Sequence, residues 1–161
     1  MRKPFIFAFL ANVILSLCSV TVLPERTAIH FGFGGLPDNW AAPGEFALLM
    51  SVTDAVIFLT FLFSAKLTHR LPARFINLPN RAYWLNEKNR SKAEAMLTEE
   101  MYLFGTATYV FMFLITLLVL RANLSSPVRL QETPLWWAFG LYIGFTVYWT
   151  VRLYRRFRVP A

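Results

Sequence analysis

A single acidic side chain, Asp54, stands near the centre of the nineteen-residue apolar run 46–64, which reads FALLMSVTDAVIFLTFLFS. By helical rise this carboxylate sits about 12 Å below one end of the run. Facing lipid there, a charge costs about 2.5–3.5 kcal/mol on insertion scales. The group must therefore turn into a helix bundle, take up a proton or meet a donor. Two kinds of chemistry follow: a polar tie between helices, or a proton- or ligand-linked site. Ser51 lies one turn away on the same face, and Asn12 in the first apolar run reaches a similar depth from the other side. Thr108 in the third run is a further donor. Asp54, Asn12, Ser51 and Thr108 form the candidate intramembrane polar site, with an Asn12–Asp54 hydrogen bond the simplest pairing between antiparallel helices.

Other reactive side chains are sparse. His30, Asp38 and Glu45 share no compact metal-ligand spacing, and the only second histidine, His69, lies beyond the next apolar run. One cysteine, Cys18, excludes an internal disulfide and any cysteine cluster. H-E-x-x-H is absent, and no nucleophile–histidine–carboxylate set has a supporting context. Gly32, Gly34 and Gly35 lack the Lys-Ser/Thr that completes a phosphate loop. The expectation is a protein that is not an enzyme and holds no metal or cofactor.

The elements that must position these residues are apolar. The chain is 57% hydrophobic and only 16% charged, with sixteen Phe in 161 residues, whereas soluble domains carry about 25% charge. Four runs, at about 4–22, 46–64, 102–120 and 135–151, each match the roughly 30 Å hydrocarbon core of a bilayer. Residues 1–161 thus read as one integral membrane domain, all-α and polytopic, with four transmembrane helices. Arg2 and Lys3 before the first run resemble a signal peptide, but LSLCSVTV offers no A-x-A site, so the run reads as an uncleaved span. Thirteen of the sixteen Lys and Arg flank the first run's start, fill the loop 65–100 or follow the fourth run. Arg26, Arg121 and Arg129 alone lie on the other side. The positive-inside rule then places both termini and the loop 65–100 in the cytoplasm of a cell-membrane protein, and the loop 23–45 outside. The net charge of +7 is a topology signal, and no nucleic-acid partner is expected.

Small and polar residues mark packing seams. Ala8, Asn12, Ser16 and Ser19 share one face of the first span, and Gly105, Thr108, Met112 and Thr116 share one face of the third. Gly140-x-x-x-Gly144 in the last run has the spacing for backbone contact with a second helix, a route to oligomerisation. Trp136, Trp137 and Trp149 fit interfacial anchors. Ser91 and Glu94 have capping-box spacing, which starts a helix near Ser91 that runs into the third span. Pro134 suits the first turn of the last helix. In the outer loop, Gly34-Gly35 and Pro37-Asp38 mark turns, 27–33 reads as extended, and Asp38 is placed to bond turn amides while His30 packs with Trp40. Lys66, Arg70 and Arg74, with the aromatic pair Tyr83-Trp84, suit a cytoplasmic lid or a surface for membrane lipids or a protein partner.

Two separated blocks carry a family resemblance. Pro24-Glu25-Arg26, His30-Phe31-Gly32, Gly35, Pro37-Asp38 and Trp40 resemble the signature of the DUF1648 membrane family. Asn77-Leu78-Pro79-Asn80-Arg81 with Tyr83-Trp84-Leu85 is similar to a second block of that family. The family includes SdpI-like proteins of the bacterial inner membrane, one of which confers immunity to a secreted peptide toxin. The resemblance implies a module that binds, or protects against, a peptide or membrane-active compound. Its residues would be His30, Gly35, Pro37, Asp38 and Trp40 outside, and Asn77, Pro79, Asn80, Tyr83 and Trp84 inside. A small transporter, or an accessory subunit of a membrane complex, is the other reading.

Overall fold

The computed structural model describes residues 1–67 and 72–159. His69 and Arg70 lie outside the described residues. Four long helices dominate: α1 (Arg2–Ser19), α2 (Pro43–Leu67), α4 (Arg90–Asn123) and α5 (Glu132–Arg156). A one-turn helix, α3 (Arg81–Trp84), precedes α4. Between α1 and α2 the chain forms an antiparallel hairpin of β1 (Thr27–Phe31) and β2 (Pro37–Ala41).

Each helix outruns its apolar core because polar residues extend the ends. Pro43 opens α2, where its fixed φ costs nothing and its missing N–H is not needed. Glu45 reaches back to accept the Ala42 N–H at 3.0 Å. α4 starts at Arg90, one residue before the expected Ser91, and Asn89 precedes it without a side-chain cap. The Ser91–Glu94 capping box does not shape this start: Glu94 instead pairs with Arg90 at 2.7 Å, one turn back. Pro134 falls in the first turn of α5, as its chemistry requires.

Among the described residues three helices are long and apolar enough to cross a membrane: α1, the 43–64 part of α2, and α4. α5 has the length, at 25 residues, but Trp, Tyr, Thr and Gly dilute its apolar character. The molecule is a polytopic helical membrane protein. α1, α2 and α4 pack against one another, and α5 lies chiefly along α4.

Aromatic rings fill one end of the bundle. Phe5 of α1 stacks on Phe58 at 5.2 Å and meets Tyr102 and Tyr109 at 5.3 and 5.6 Å. Gly105 makes room for it: a Cβ there would stand 2.7 Å from the Phe5 ring. At the far end Leu23, Phe46 and Leu120 close the core beneath the hairpin. A third cluster, Ile76, Leu78, Trp84, Ala93, Leu97 and Phe157, joins the 72–85 segment to the C-terminal end of α5.

Candidate functional site

Within the bundle the four polar residues do not converge. Asp54 is 2% exposed, and its main-chain carbonyl accepts a 2.6 Å hydrogen bond from the Tyr109 hydroxyl. Among the described residues no donor meets its carboxyl. Ser51 Oγ, one turn earlier, is likewise buried without a partner. Asn12 turns elsewhere, donating Nδ2 to the Ala8 carbonyl at 2.9 Å and across to the Tyr109 carbonyl at 3.0 Å. The expected Asn12–Asp54 bond is thus replaced by two bonds through Tyr109, one at each end of that residue. Thr108 faces the opposite way, bonded to the Tyr142 hydroxyl of α5 at 2.8 Å and to the Phe104 carbonyl.

The two seams fared differently. Asn12, Ser16 and Ser19 are all buried along α1. On α4, Gly105 and Thr116 are buried with Tyr102, Tyr109, Leu120 and Asn123, but Thr108 belongs to the neighbouring face. Residues three apart on a helix differ by about 60° in direction, enough to point at two different neighbours.

Outside the apolar bundle, the hairpin is fixed at both ends. Asn123, the last residue of α4, treats Ala28 as a strand partner would. Its Oδ1 accepts the Ala28 N–H at 2.6 Å, and its Nδ2 donates to the Ala28 carbonyl at 3.0 Å. At the tip, Gly35 accepts the Leu130 N–H at 2.9 Å. Gly35 has φ +71°, and a Cβ would run into the Leu130 carbonyl. Arg129 Nε donates to the Gly34 carbonyl, and the Gly34 N–H donates to Glu132. His30 and Asp38 face each other across the strands, Nδ1 to Oδ1 at 2.5 Å, both well exposed. Asp38 therefore bonds His30 rather than turn amides. Trp40 packs against the Arg26 guanidinium, 4.6 Å from the ring centroid, not against His30. Pro37 sits opposite Phe31 in the ladder. Phe33 projects from the tip, wholly exposed, with Leu36 beside it.

At the other end, the second sequence block holds the end of α5. Trp84 Nε1 and Asn80 Nδ2 both donate to the Phe157 carbonyl, at 2.8 and 2.9 Å. Asn80 has φ 54°, a left-handed conformation that asparagine tolerates better than most residues. Pro79 is half-buried next to the buried Leu78, while Asn77, Asn80 and Tyr83 are exposed. Glu100 of α4 is fully buried and binds two arginines of α5: Arg152 at 3.2 Å and Arg156 at 2.6 Å. Glu99 adds a second contact to Arg156. The other oxygen of Glu100, Oε2, is buried with no partner among the described residues.

Sequence reasoning did not reach Tyr109 or Asn123, and its expectation that Glu100 makes the first turns of α4 wet is overturned, since Glu100 is fully buried. The first two were accessible, since they fall on the register 102, 105, 109, 116, 120, 123 that α4 buries. Glu100 gave no such signal, because its partners are 52 and 56 residues away.

These positions can be set beside known proteins. Residues 7–53 match the family model DUF1648, a domain of unknown function. The matched stretch runs from α1 through the hairpin into α2 and ends one residue short of Asp54. It takes in the outer block of His30, Gly35, Pro37, Asp38 and Trp40, but not the inner block at 77–85. An "Uncharacterized protein" of Archaeoglobus fulgidus is 33% identical over 85 aligned residues, 44% of this chain. The chain spans about half the length of that relative, 46%. No solved structure matches.

Proposed function

We propose that the chain is a four-span cell-membrane protein, both termini cytoplasmic, whose outer hairpin recognises a peptide or membrane-active compound. The supporting observation is that the hairpin is held rigidly at Ala28 and Gly35 while its apolar tip, Phe33, is left fully exposed. An exposed aromatic on a preorganised support is the arrangement that gives affinity with little ordering cost. The thirteen-to-three bias of basic residues supports the topology. On this reading residues 1–161 are one membrane domain, and the role is protective or sensory rather than catalytic, as the DUF1648 likeness of residues 7–53 permits.

Two measurements test it. A reporter fused to the C-terminus should report the cytoplasm and one inserted at Gly35 the outside; the reverse pair would overturn the topology. Cells making the protein are then challenged with a panel of secreted membrane-active peptides. Protection by the wild type, lost at least about tenfold in Phe33→Asp at equal membrane abundance, is expected. Unchanged protection in that variant, or none from the wild type, would refute the recognition role.

A second reading, a small transporter or accessory subunit, is favoured by one feature: the buried Asp54 carboxyl without a donor. Asp54→Asn keeps shape and bonding capacity but cannot ionise. Normal folding with loss of the cellular phenotype would support that reading, and normal folding with full phenotype would exclude it. Self-association through α5 is a further part of the proposal. Gly140 and Gly144 have nothing within 4 Å of an added Cβ, so Gly144→Leu leaves the monomer intact and should abolish any dimer seen by crosslinking in membranes.

A further inference from the structure

We propose that the C-terminal turns of α5 form a binding site for the phosphate headgroup of an anionic phospholipid, with Arg155 as its principal cation. A surface pocket of about 430 Å³ lies there, lined by Tyr148, Val151, Arg152, Arg155 and Arg156. That volume falls within the usual range of small-ligand sites, about 300–1,000 Å³.

The wall changes character along the helix. Val151 and the Tyr148 ring are exposed and apolar, and above them Val147 continues the same exposed strip. One turn further on come three guanidiniums. An acyl chain suits the upper part and a phosphate the lower.

Charge decides which kind of headgroup. Arg152 and Arg156 are bound to Glu99 and Glu100, two cations against two carboxylates. Arg152 is held on the pocket wall by its bond to the buried Glu100. Arg155 has no partner among the described residues and is exposed. The pocket therefore holds one uncompensated cation, and Arg158 adds another just beyond. The C-terminal end of a helix opposes anions with about half a negative charge. Two free guanidiniums outweigh it, and the Phe157 carbonyl at this end is already occupied by Asn80 and Trp84. An arginine beside a dry wall is also the side chain best suited to phosphate, since it offers several N–H donors in one plane.

The site is independent of what the hairpin recognises and needs only that α5 lies beside the bilayer. The test uses the full-length protein in nanodiscs of phosphatidylcholine alone or with phosphatidylglycerol, followed by mild detergent extraction and native mass spectrometry of retained lipid. Phosphatidylglycerol should be retained in preference to phosphatidylcholine. Arg155→Gln should weaken that preference about fivefold, the effect of one basic residue near an anionic surface. Arg155→Lys should restore part of it. Lys88→Gln, which removes an equal charge from the same side of the chain away from the pocket, should leave it unchanged. Equal loss in Lys88→Gln would mean diffuse attraction and overturn the site, as would equal retention of both lipids. Free inorganic phosphate at millimolar concentration should not displace the lipid; if it does so completely, the pocket is a soluble-anion site and the headgroup assignment fails.

Discussion

At the hairpin end of the bundle the partners are mostly main chain: an asparagine amide on Ala28, a glycine carbonyl under Leu130, and the exposed Arg129 and Glu132 on the Gly34 backbone. At the opposite end, formal charges meet one another, with Glu100 buried between Arg152 and Arg156, and indole and amide donors closing on Phe157. Neutral hydrogen bonds to backbone are directional but modest, each worth about 0.5–1.5 kcal/mol net. Breaking a buried ion network costs far more, because the charge left behind has lost its hydration and gained nothing. The fold thus spends its strong contacts on fastening α5 to α4 and its precise, weaker ones on orienting the hairpin.

The contrast can be broken at either end. Glu100→Gln should be the most damaging single change, leaving two guanidiniums at an interface built for a carboxylate. Because both arginines retain some contact with water, the loss of stability in detergent should fall near the low end of about 3–5 kcal/mol. Equal stability of Glu100→Gln and wild type in thermal unfolding would show that the charged lock is decorative. Asn123→Ala should come next, at about 1–3 kcal/mol, since it leaves the buried Ala28 N–H and carbonyl without partners. Its mark is selectivity: hydrogen exchange should accelerate at 27–41 and stay slow in α1, α2 and the core of α4. Uniform acceleration would mean that the hairpin and the bundle are one cooperative unit. Gly35→Ala sharpens the picture at the tip, where a left-handed backbone costs about 1–2 kcal/mol for an L-residue and the new methyl strikes Leu130. Faster exchange confined to 32–37 is expected there. Smallest of all should be His30→Ala. The His30–Asp38 pair is 68% and 51% exposed, and such pairs are worth about 0–1 kcal/mol. A larger drop in melting temperature than that of Asn123→Ala would reverse the ranking.

Helices and their order were legible because apolar runs of bilayer length have few other folds open to them. The α1 seam was legible for the same kind of reason: Asn12, Ser16 and Ser19 repeat at helical spacing and have no other face to share. Rotation between helices was not legible. Depth along the axis put Asn12 and Asp54 at one level, yet the rotation of α1 aims the Asn12 amide at α4, where it meets the Tyr109 carbonyl. Thr108 was misassigned by one interface for want of the same angular information. The hairpin's turns were visible in Gly34-Gly35 and Pro37, whereas the residues it grips, Asn123, Leu130 and Glu132, are nearly a hundred positions away. The inner block showed its importance in its composition but not its purpose, which is to hold a carbonyl at the other end of the chain.

α4 is 34 residues long, about 51 Å of continuous helix against a hydrocarbon core of about 30 Å. Its last residue is bonded to the hairpin and its eleventh, Glu100, to α5. No glycine or proline interrupts the stretch between them except Gly105, which is clamped by Phe5. Such a rod resists twisting along its length. One uninterrupted helix therefore sets the spacing and the relative angle of the hairpin's anchor, Asn123, and of the carboxylate that holds the α5 arginines, Glu100.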